Sequence, residues 1–540
     1  MPRILLVQPP VADFYLTRKR TFPYGLAMIA GNLREQGFEV KILDALATSK
    51  SRIIERPEGF DYLEDYYGRK DLSAFALFHE FRRFGYSFEH IGKTAKDFDP
   101  FLVGISSLFT PYWDMALKTT EIIKANVPEC RIVMGGHHPT QMPESVLASG
   151  AVDYIIRGEG EHTLPALAHA LLKNENIESV PGIGFKKEDG SLHITMPSWC
   201  NNLEDAPLPA VDLTDEKFYE RNKKRSVMIV SSRGCPMTCS YCAVSAAMDS
   251  PPYRRRNVRD VMRELSVVTE TSDIGFIDFE DENLCLSKTW FLSLMEEIRT
   301  LFGDKTVELR AMNGLYPPSL DRDIITSMAE SGFKTLNLSL GSTHPLQLER
   351  FNRKDVRQAF KRAIQLAVEH DLATVSYIIA GAPGQDPFDS VEDLVYLAQV
   401  PTLAGLSIYY PAPGSKDFDT CRNKNVLPAD VRQMRSSALP ISDTTSRDQS
   451  ITLLRLSRIL NFMKSLGKGR IKLPEPQTCR TGRIPPGAGR SEISLQLLRW
   501  FLSDARIRGI DAYGQIYQHK CDPELTRTFL DAILEKGVIG

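Results

Sequence analysis

The sequence is short of several things that would have placed it quickly. No window is an uninterrupted apolar run of about 20 residues, the length that spans a bilayer. The opening residues MPRILLVQPP lack the longer apolar stretch and small-residue cleavage site of a secretory signal. There is no surplus of either charge. Sixty-six Lys and Arg stand against 68 Asp and Glu, a formal net charge of −2, which removes the electrostatic case for nucleic acid or an anionic membrane as partner. Internal repeats and low-complexity tracts are missing. The 9 cysteines do not read as a secreted disulfide framework, because Cys130, Cys200, Cys285, Cys421, Cys479 and Cys521 are scattered. These absences set the expectation of a cytoplasmic globular protein with no membrane span. Its 42% hydrophobic and 25% charged content is ordinary for that class.

At 540 residues the chain is too long for one hydrophobic core, so two to four domains are expected. Apolar runs at 3–8, 39–43, 101–107, 131–136 and 153–161 alternate with helical spacing near 26–33 and 113–124. Strands alternating with helices imply a parallel, doubly wound, Rossmann-like α/β domain over 1–170. The stretch 48–97, rich in Tyr, Phe, Arg and Glu, interrupts this rhythm and reads as a helical insertion. Residues 171–222, with Pro181, Pro197, Pro207 and Pro209, read as a linker. A second alternating series starts at 226–234 and continues with strands at 274–280, 307–313, 335–340, 374–381 and 406–412. Six strands with right-handed crossovers predict a partial (β/α)6 barrel over 223–424. The region 425–540 is expected to be mainly helical, notably over 446–466.

The remaining three cysteines lie together in GCPMTCSYC, which places Cys235, Cys239 and Cys242 at CxxxCxxC spacing just after a strand. A structural zinc needs four ligands, commonly from two paired knuckles, and no second CxxC exists. A [4Fe–4S] cluster usually takes four thiolates, so three on one short loop leave an iron open to an outside ligand. This pattern resembles the radical S-adenosylmethionine (SAM) superfamily. The resemblance implies that SAM occupies the open iron and is cleaved to a 5′-deoxyadenosyl radical by an electron from an external donor such as flavodoxin or ferredoxin. It also implies SAM contacts from Tyr241 in the cysteine loop, and from Asp281 and Glu282 of FEDENL. Acidic groups at a strand end suit an ammonium. Arg310 is placed for the SAM carboxylate, Ser339 (with Ser342) lies in LNLSLGS, and Ile379 and Gly381 lie in YIIAGAPGQD along the adenine. One departure is Gly341, which stands where the family often has glutamate. Arg254, Arg255 and Arg256 read mainly as a solvated helix start.

Residues 1–165 resemble the cobalamin-binding domain that precedes this barrel in one large subgroup, through FPYGLAMIAGNLREQGFEVKILDA, GISSLFTPYW, GGHHPT and DYIIRGEGEHT. Ligands of such sheets bind beyond the carboxyl strand ends, which here carry Pro9, Asp44, Ser106, Ser107, Gly135, Gly136, His138, Gly158, Glu159 and Gly160. The DxHxxG motif that supplies an imidazole to cobalt is absent, so the resemblance implies a cobalt without that lower axial ligand. His137 and His138 read more readily as loop hydrogen-bonders than as cofactor contacts. Together the resemblances imply a methyltransferase acting on an unactivated carbon or a phosphorus through methylcobalamin. The alternatives are a cyclase or ring-rearranging enzyme without methyl transfer, and a non-catalytic cobalamin sensor. Methylthiolation of tRNA is disfavoured because only Cys130 and Cys200 precede the loop. The expected substrate is a small molecule or natural product, and Asp443, Arg447 and Arg455 are polar candidates in the C-terminal region.

Overall fold

Consecutive apolar residues in the first strand fit burial on both faces. In β1 (Arg3–Gln8), Ile4 and Leu6 point into one core, with Leu33 and Leu167, while Leu5 and Val7 point into another, with Ile91 and Ile123. The computed structural model describes residues 1–17, 21–205, 207–244, 251, 253–303, 305–479, 484 and 487–540. The other strands of this sheet are β2 (Glu39–Asp44), β3 (Leu102–Ser106), β4 (Arg131–Gly135), β5 (Tyr154–Ile156), β6 (Ile183–Lys186) and β7 (Leu192–Ile194), in the order β7-β6-β5-β4-β3-β1-β2. The pairing is parallel from β2 to β5, and antiparallel for β6 and β7. Helices α1 (Tyr24–Glu35), α2 (Phe88–Phe98), α3 (Trp113–Asn126) and α4 (Gly160–Lys173) cover the two faces. The doubly wound reading holds.

Two boundaries are corrected. Residues 171–222 are not a bare linker, since β6 and β7 extend the first sheet within them. The stretch 48–97 is not a helical insertion either. Apart from α2, it holds two short helical turns at Asp61–Leu63 and Glu64–Tyr67, and two strands, Ser51–Ile53 and Arg82–Phe84, that form a three-stranded sheet with Val11–Asp13. Its aromatics are not spaced as a helical stripe. Phe60, Tyr67 and Phe75 are instead single anchors, fully buried in the core shared with the barrel and the C-terminal region.

The barrel is built from β8 (Lys224–Ile229), β9 (Ile274–Phe279), β10 (Glu308–Ala311), β11 (Thr335–Gly341), β12 (Ala373–Ala380) and β13 (Leu403–Ile408). Parallel ladders join β8-β9-β10 and β11-β12-β13, and single bridges at Leu309–Phe333 and Leu315–Leu338 connect the two sets. Helices α5 (Val258–Thr271), α6 (Lys288–Phe302), α7 (Arg322–Ser331), α8 (Arg357–Glu369) and α9 (Pro387–Ala398) alternate with these strands. The C-terminal region adds α10 (Arg447–Lys464), α11 (Arg490–Asp504) and α12 (Pro523–Lys536). Helix α10 opens with a capping box from Ser446 and Gln449 and packs along β13. Among the described residues, no helix is long and apolar enough to cross a membrane.

One close approach fixes the path between the domains. A Cβ added at Gly31 of α1 would stand 2.2 Å from the carbonyl oxygen of Leu208. Gly31→Ala is therefore expected to destabilise the protein by roughly 1–3 kcal/mol through overpacking, although alanine is the better helix former. A thermal transition that rose in this variant would contradict that packing.

Candidate functional site

The cysteine loop leaves the carboxyl end of β8 and is closed at its root. Ser232–Arg233 pairs antiparallel with Arg254–Arg255, and Gly234 takes φ +80°, a left-handed turn that favours glycine. Cys235, Cys239 and Cys242 are half-buried on the enclosed loop, and no disulfide joins them. Burial pushes the thiols of Cys235 and Cys239 up, and Arg353 counters this at Cys239. Among the described residues, no three metal-binding side chains converge on one point as they would around a single ion. Three thiolates that each serve a different iron need no such convergence. The donor set thus fits a cluster with one corner open better than a zinc cage.

The carboxylate of Glu282 is near enough for its charge to act on the Cys235 thiol. Burial lifts its pKa to about 7, and its Oε2 is buried without a hydrogen-bond partner. An orphaned acceptor beside the loop fits an incoming ammonium. Its neighbour Asp281 does not face the loop's ligand space. Asp281 is buried, with Oδ1 accepting from the hydroxyls of Ser231 (2.7 Å) and Ser232, so it secures the root of the loop. Arg310 is also corrected, because its guanidinium is paired with Asp278 across the β9–β10 ladder and lies over Phe276.

Sequence reasoning missed Arg353. Its Nη1 donates to the Tyr241 hydroxyl (2.7 Å) and to Ser339 Oγ (3.1 Å), and its Nη2 donates to the Ser339 carbonyl (3.0 Å). It also approaches within 3.4 Å of where a side chain at Gly341 would begin. Asn352 donates to Thr238 Oγ1 (2.6 Å), and the Ser240 amide to the Phe351 carbonyl (3.1 Å), so the turn 351–353 grips the cysteine loop. The dipeptide Asn352–Arg353 after a short helix was the available signal, as asparagine commonly takes the left-handed φ found here, +52°. Ile379 is half-buried on β12, and its carbonyl accepts from Gln385 Nε2 (2.9 Å). Gly381 follows at φ +79°. Asp443 caps the Gly384 amide (2.8 Å) and pairs with Lys424, which gives it a structural role. Arg447 lies 3.7 Å from the Tyr62 ring centroid.

The carboxyl end of the first sheet faces the barrel loops, and several contacts fasten the two ends together. Buried Asp13 accepts from Tyr112 (2.6 Å) and from Ser437 (2.8 Å) of the C-terminal region. Arg233 bridges Glu159 (3.1 Å) and Glu161 (2.5 Å), and Arg254 grips both oxygens of Glu159 at 2.8 and 2.9 Å. Despite burial, these arginines hold the Glu159 carboxyl below its usual range. The Arg256 guanidinium donates to Glu264 (2.6 Å), to which the Tyr24 hydroxyl also donates. Arg254 and Arg256 are therefore interface residues, not part of a solvated helix start.

The same packing removes several expected cobalamin contacts. Glu159 belongs to the arginine cluster. Asp44 is buried, its carboxylate taken by Gln8 (3.1 Å), the Leu46 amide (2.9 Å) and the Tyr219 hydroxyl. His138 lies buried against Trp113, and burial lowers its pKa to about 4. Gly158 lies against Ser198, whose carbonyl would clash with any side chain there. Pro9 and Ser107 are buried. Ser106, Gly135, Gly136 and Gly160 remain half-exposed at the sheet end, with Leu108 48% and Phe109 60% exposed beside them. From the barrel side, Tyr410 is 41% exposed, although surrounding protein desolvates its hydroxyl and raises its pKa, as at a cleft wall. It lies near Cys242 and Tyr15. Open apolar surface within an interdomain seam fits a large flat cofactor.

Known proteins share this arrangement. Residues 72–168 match the B12 binding domain and residues 229–397 the radical SAM superfamily. An uncharacterized methyltransferase of Pyrococcus horikoshii is 26% identical over 431 residues, 79% of this chain and 84% of that protein. The anaerobic magnesium-protoporphyrin IX monomethyl ester cyclase of Rubrivivax gelatinosus is 28% identical over 337 residues, 60% of this chain and 59% of the cyclase. The structure of the radical SAM methyltransferase TsrM from Kitasatospora setae, with cobalamin and a [4Fe-4S] cluster bound, superposes with a TM-score of 0.60 at 17% identity, over 84% of this chain and 91% of TsrM. At that identity the likeness carries the fold.

Proposed function

This chain is a radical SAM protein with a B12-binding domain ahead of its barrel, and on that premise we propose that it transfers a methyl group to an unactivated carbon, or to a phosphorus, of a small-molecule substrate. The observation that carries this reading is the seam, where Arg233 and Arg254 at the root of the cysteine loop grip Glu159 and Glu161 at the carboxyl end of the first sheet. Bound in that seam, a cluster with SAM supplies a hydrogen-abstracting radical and cobalamin supplies the methyl group. Cys235, Cys239 and Cys242 are the cluster ligands. Glu282 accepts from the SAM ammonium, and Ile379 and Gly381 leave room for the adenine. Arg353 positions Tyr241 and Ser339 around the same space. Ser106, Gly135, Gly136 and Gly160, with Leu108 and Phe109, border the corrin. The enzyme works in the cytoplasm and draws electrons from a carrier such as flavodoxin or ferredoxin.

Glu282→Gln is expected to weaken SAM binding roughly tenfold to a hundredfold, the worth of one charge-assisted hydrogen bond, while iron content stays unchanged. Equilibrium dialysis with SAM checks this, and an unchanged affinity would remove Glu282 from the site. The reaction itself is tested by incubating anaerobically reconstituted protein with cobalamin, SAM, a reductant and candidate substrates. Methyl transfer adds one CH2 to the product mass. The relationship to a cyclase favours a second reading, in which the product's carbon count is unchanged and the methyl-transfer proposal fails.

A further inference from the structure

A half-open cavity of about 230 Å3 lies between residues 69–82 and the C-terminal region, lined there by Arg455 and His519. We infer that it is a binding site for a small multi-oxygen dianion of the phosphate or phosphonate type. The reasoning starts from Arg455, a cavity-lining residue of α10 that is 2% exposed. Its Nη2 donates to the Tyr66 carbonyl (3.1 Å) and its Nη1 faces His519 Nε2 (3.2 Å), but its Nε is buried with no partner. Among the described residues, no carboxylate pairs with this guanidinium directly. Burial and the neighbouring Arg455 lower the His519 pKa to about 4, so the imidazole is neutral near pH 7. The same Nε2 lies 3.0 Å from Asp71 Oδ2, and a single ring nitrogen cannot donate to Asp71 and accept from Arg455 at once. With either tautomer the guanidinium keeps an unmet N–H, a costly arrangement in a buried cation.

Charge around the cavity runs the same way. Arg69 and Lys70 line it and are exposed, and among the described residues neither has a carboxylate within ion-pairing distance. The two carboxylates in the wall are already engaged. Glu80 is paired with Arg82, and Asp71 also accepts from the Ser73 amide (2.9 Å) and the Ile510 amide (3.3 Å). Cations thus reach the cavity from both chain segments, and guanidinium groups suit several oxygens at once. Phe14, Leu77 and Phe78 complete the wall, so the anion has apolar surface beside it. The volume is below the roughly 300–1,000 Å3 of pockets that enclose whole ligands, enough for one such group and a short apolar neighbour. Tyr15 stacks on the cavity-lining Phe78 with centroids 5.0 Å apart. An anion held there ties residues 69–82 to α10.

Isothermal titration calorimetry on the full-length reconstituted protein, at constant ionic strength, tests the site with inorganic phosphate, phenylphosphonate and acetate. Saturable phosphate binding at least tenfold tighter than acetate is expected. The double variant Arg69→Gln/Lys70→Gln, made at two exposed positions to spare the fold, is expected to weaken it at least tenfold. Tighter binding of phenylphosphonate than of phosphate points to a phosphorus dianion carrying an organic group as the occupant, and equal or weaker binding points to inorganic phosphate. Heats that do not saturate, or an affinity unchanged in the double variant, overturn the proposal. The heats require no SAM cleavage, so this outcome is independent of the methyl-transfer reading.

Discussion

Cys239→Ala is expected to abolish reductive cleavage of SAM, lowering 5′-deoxyadenosine formation by roughly a thousandfold or more, equivalent to about 4 kcal/mol or more of lost transition-state stabilisation. The middle cysteine lies beside Arg353 and Tyr241 and shares one enclosed loop with Cys235 and Cys242. With two thiolates left, a four-iron cluster is no longer held, and iron and sulfide per chain should fall together. Cys130→Ala serves as the control. Cys130 is buried just before β4, at the amino end of the first sheet, and its loss should leave iron content and cleavage unchanged. If Cys239→Ala retained full iron and full cleavage, the loop would not be the cluster site.

Arg233→Met should give the largest loss of stability. Arg233 is half-buried between Glu159 and Glu161, and both carboxylates raise its pKa despite the opposing effect of desolvation. Removing it strands Glu161, whose side chain is 7% exposed, and leaves Glu159 to Arg254 alone. Breaking a buried pair by deleting one partner costs roughly 3–5 kcal/mol. Replacing both partners by apolar groups costs far less, so Arg233→Met/Glu161→Leu should recover at least half of the loss. A chain with several domains has no single unfolding free energy, so the measurement is the first thermal transition together with protease cutting between residues 195 and 222. Arg233→Met should lower the transition and speed the cutting. Equal behaviour of wild type and single variant would show that this cluster does not hold the seam.

Much of the architecture was legible because the central strands of both sheets pair in parallel. Strands covered on two faces read as unbroken apolar runs, and RILLVQ, IGFIDF and TLNLSLG fall within a residue or two of their expected limits. The cysteine loop was legible because its spacing is local. What escaped was long-range pairing. Asp281, Glu159 and Asp44 are acidic residues at strand ends, the places where ligand contacts are expected, and each is consumed by a partner from a distant segment: Ser231, Arg254 and Tyr219. Glu282 differs from Asp281 by one position, yet only its carboxylate is left unmet. Arg353 stayed hidden because its role depends on β11 standing next to the cysteine loop. The segment 48–86 misled because its aromatics, chosen for burial in a core elsewhere, imitate helix composition without helix spacing.

That shared core has an evolutionary consequence. Phe14, Phe60, Tyr67 and Phe75 come from the first 80 residues, yet they pack in one cluster with Leu338, Ile378, Leu456 and Phe529. The amino-terminal module therefore cannot be shuffled as a cassette. A crossover near residue 170 would import a sheet whose side branch no longer matches the helices 300 residues downstream, so the two halves of this chain are expected to inherit their substitutions as a pair.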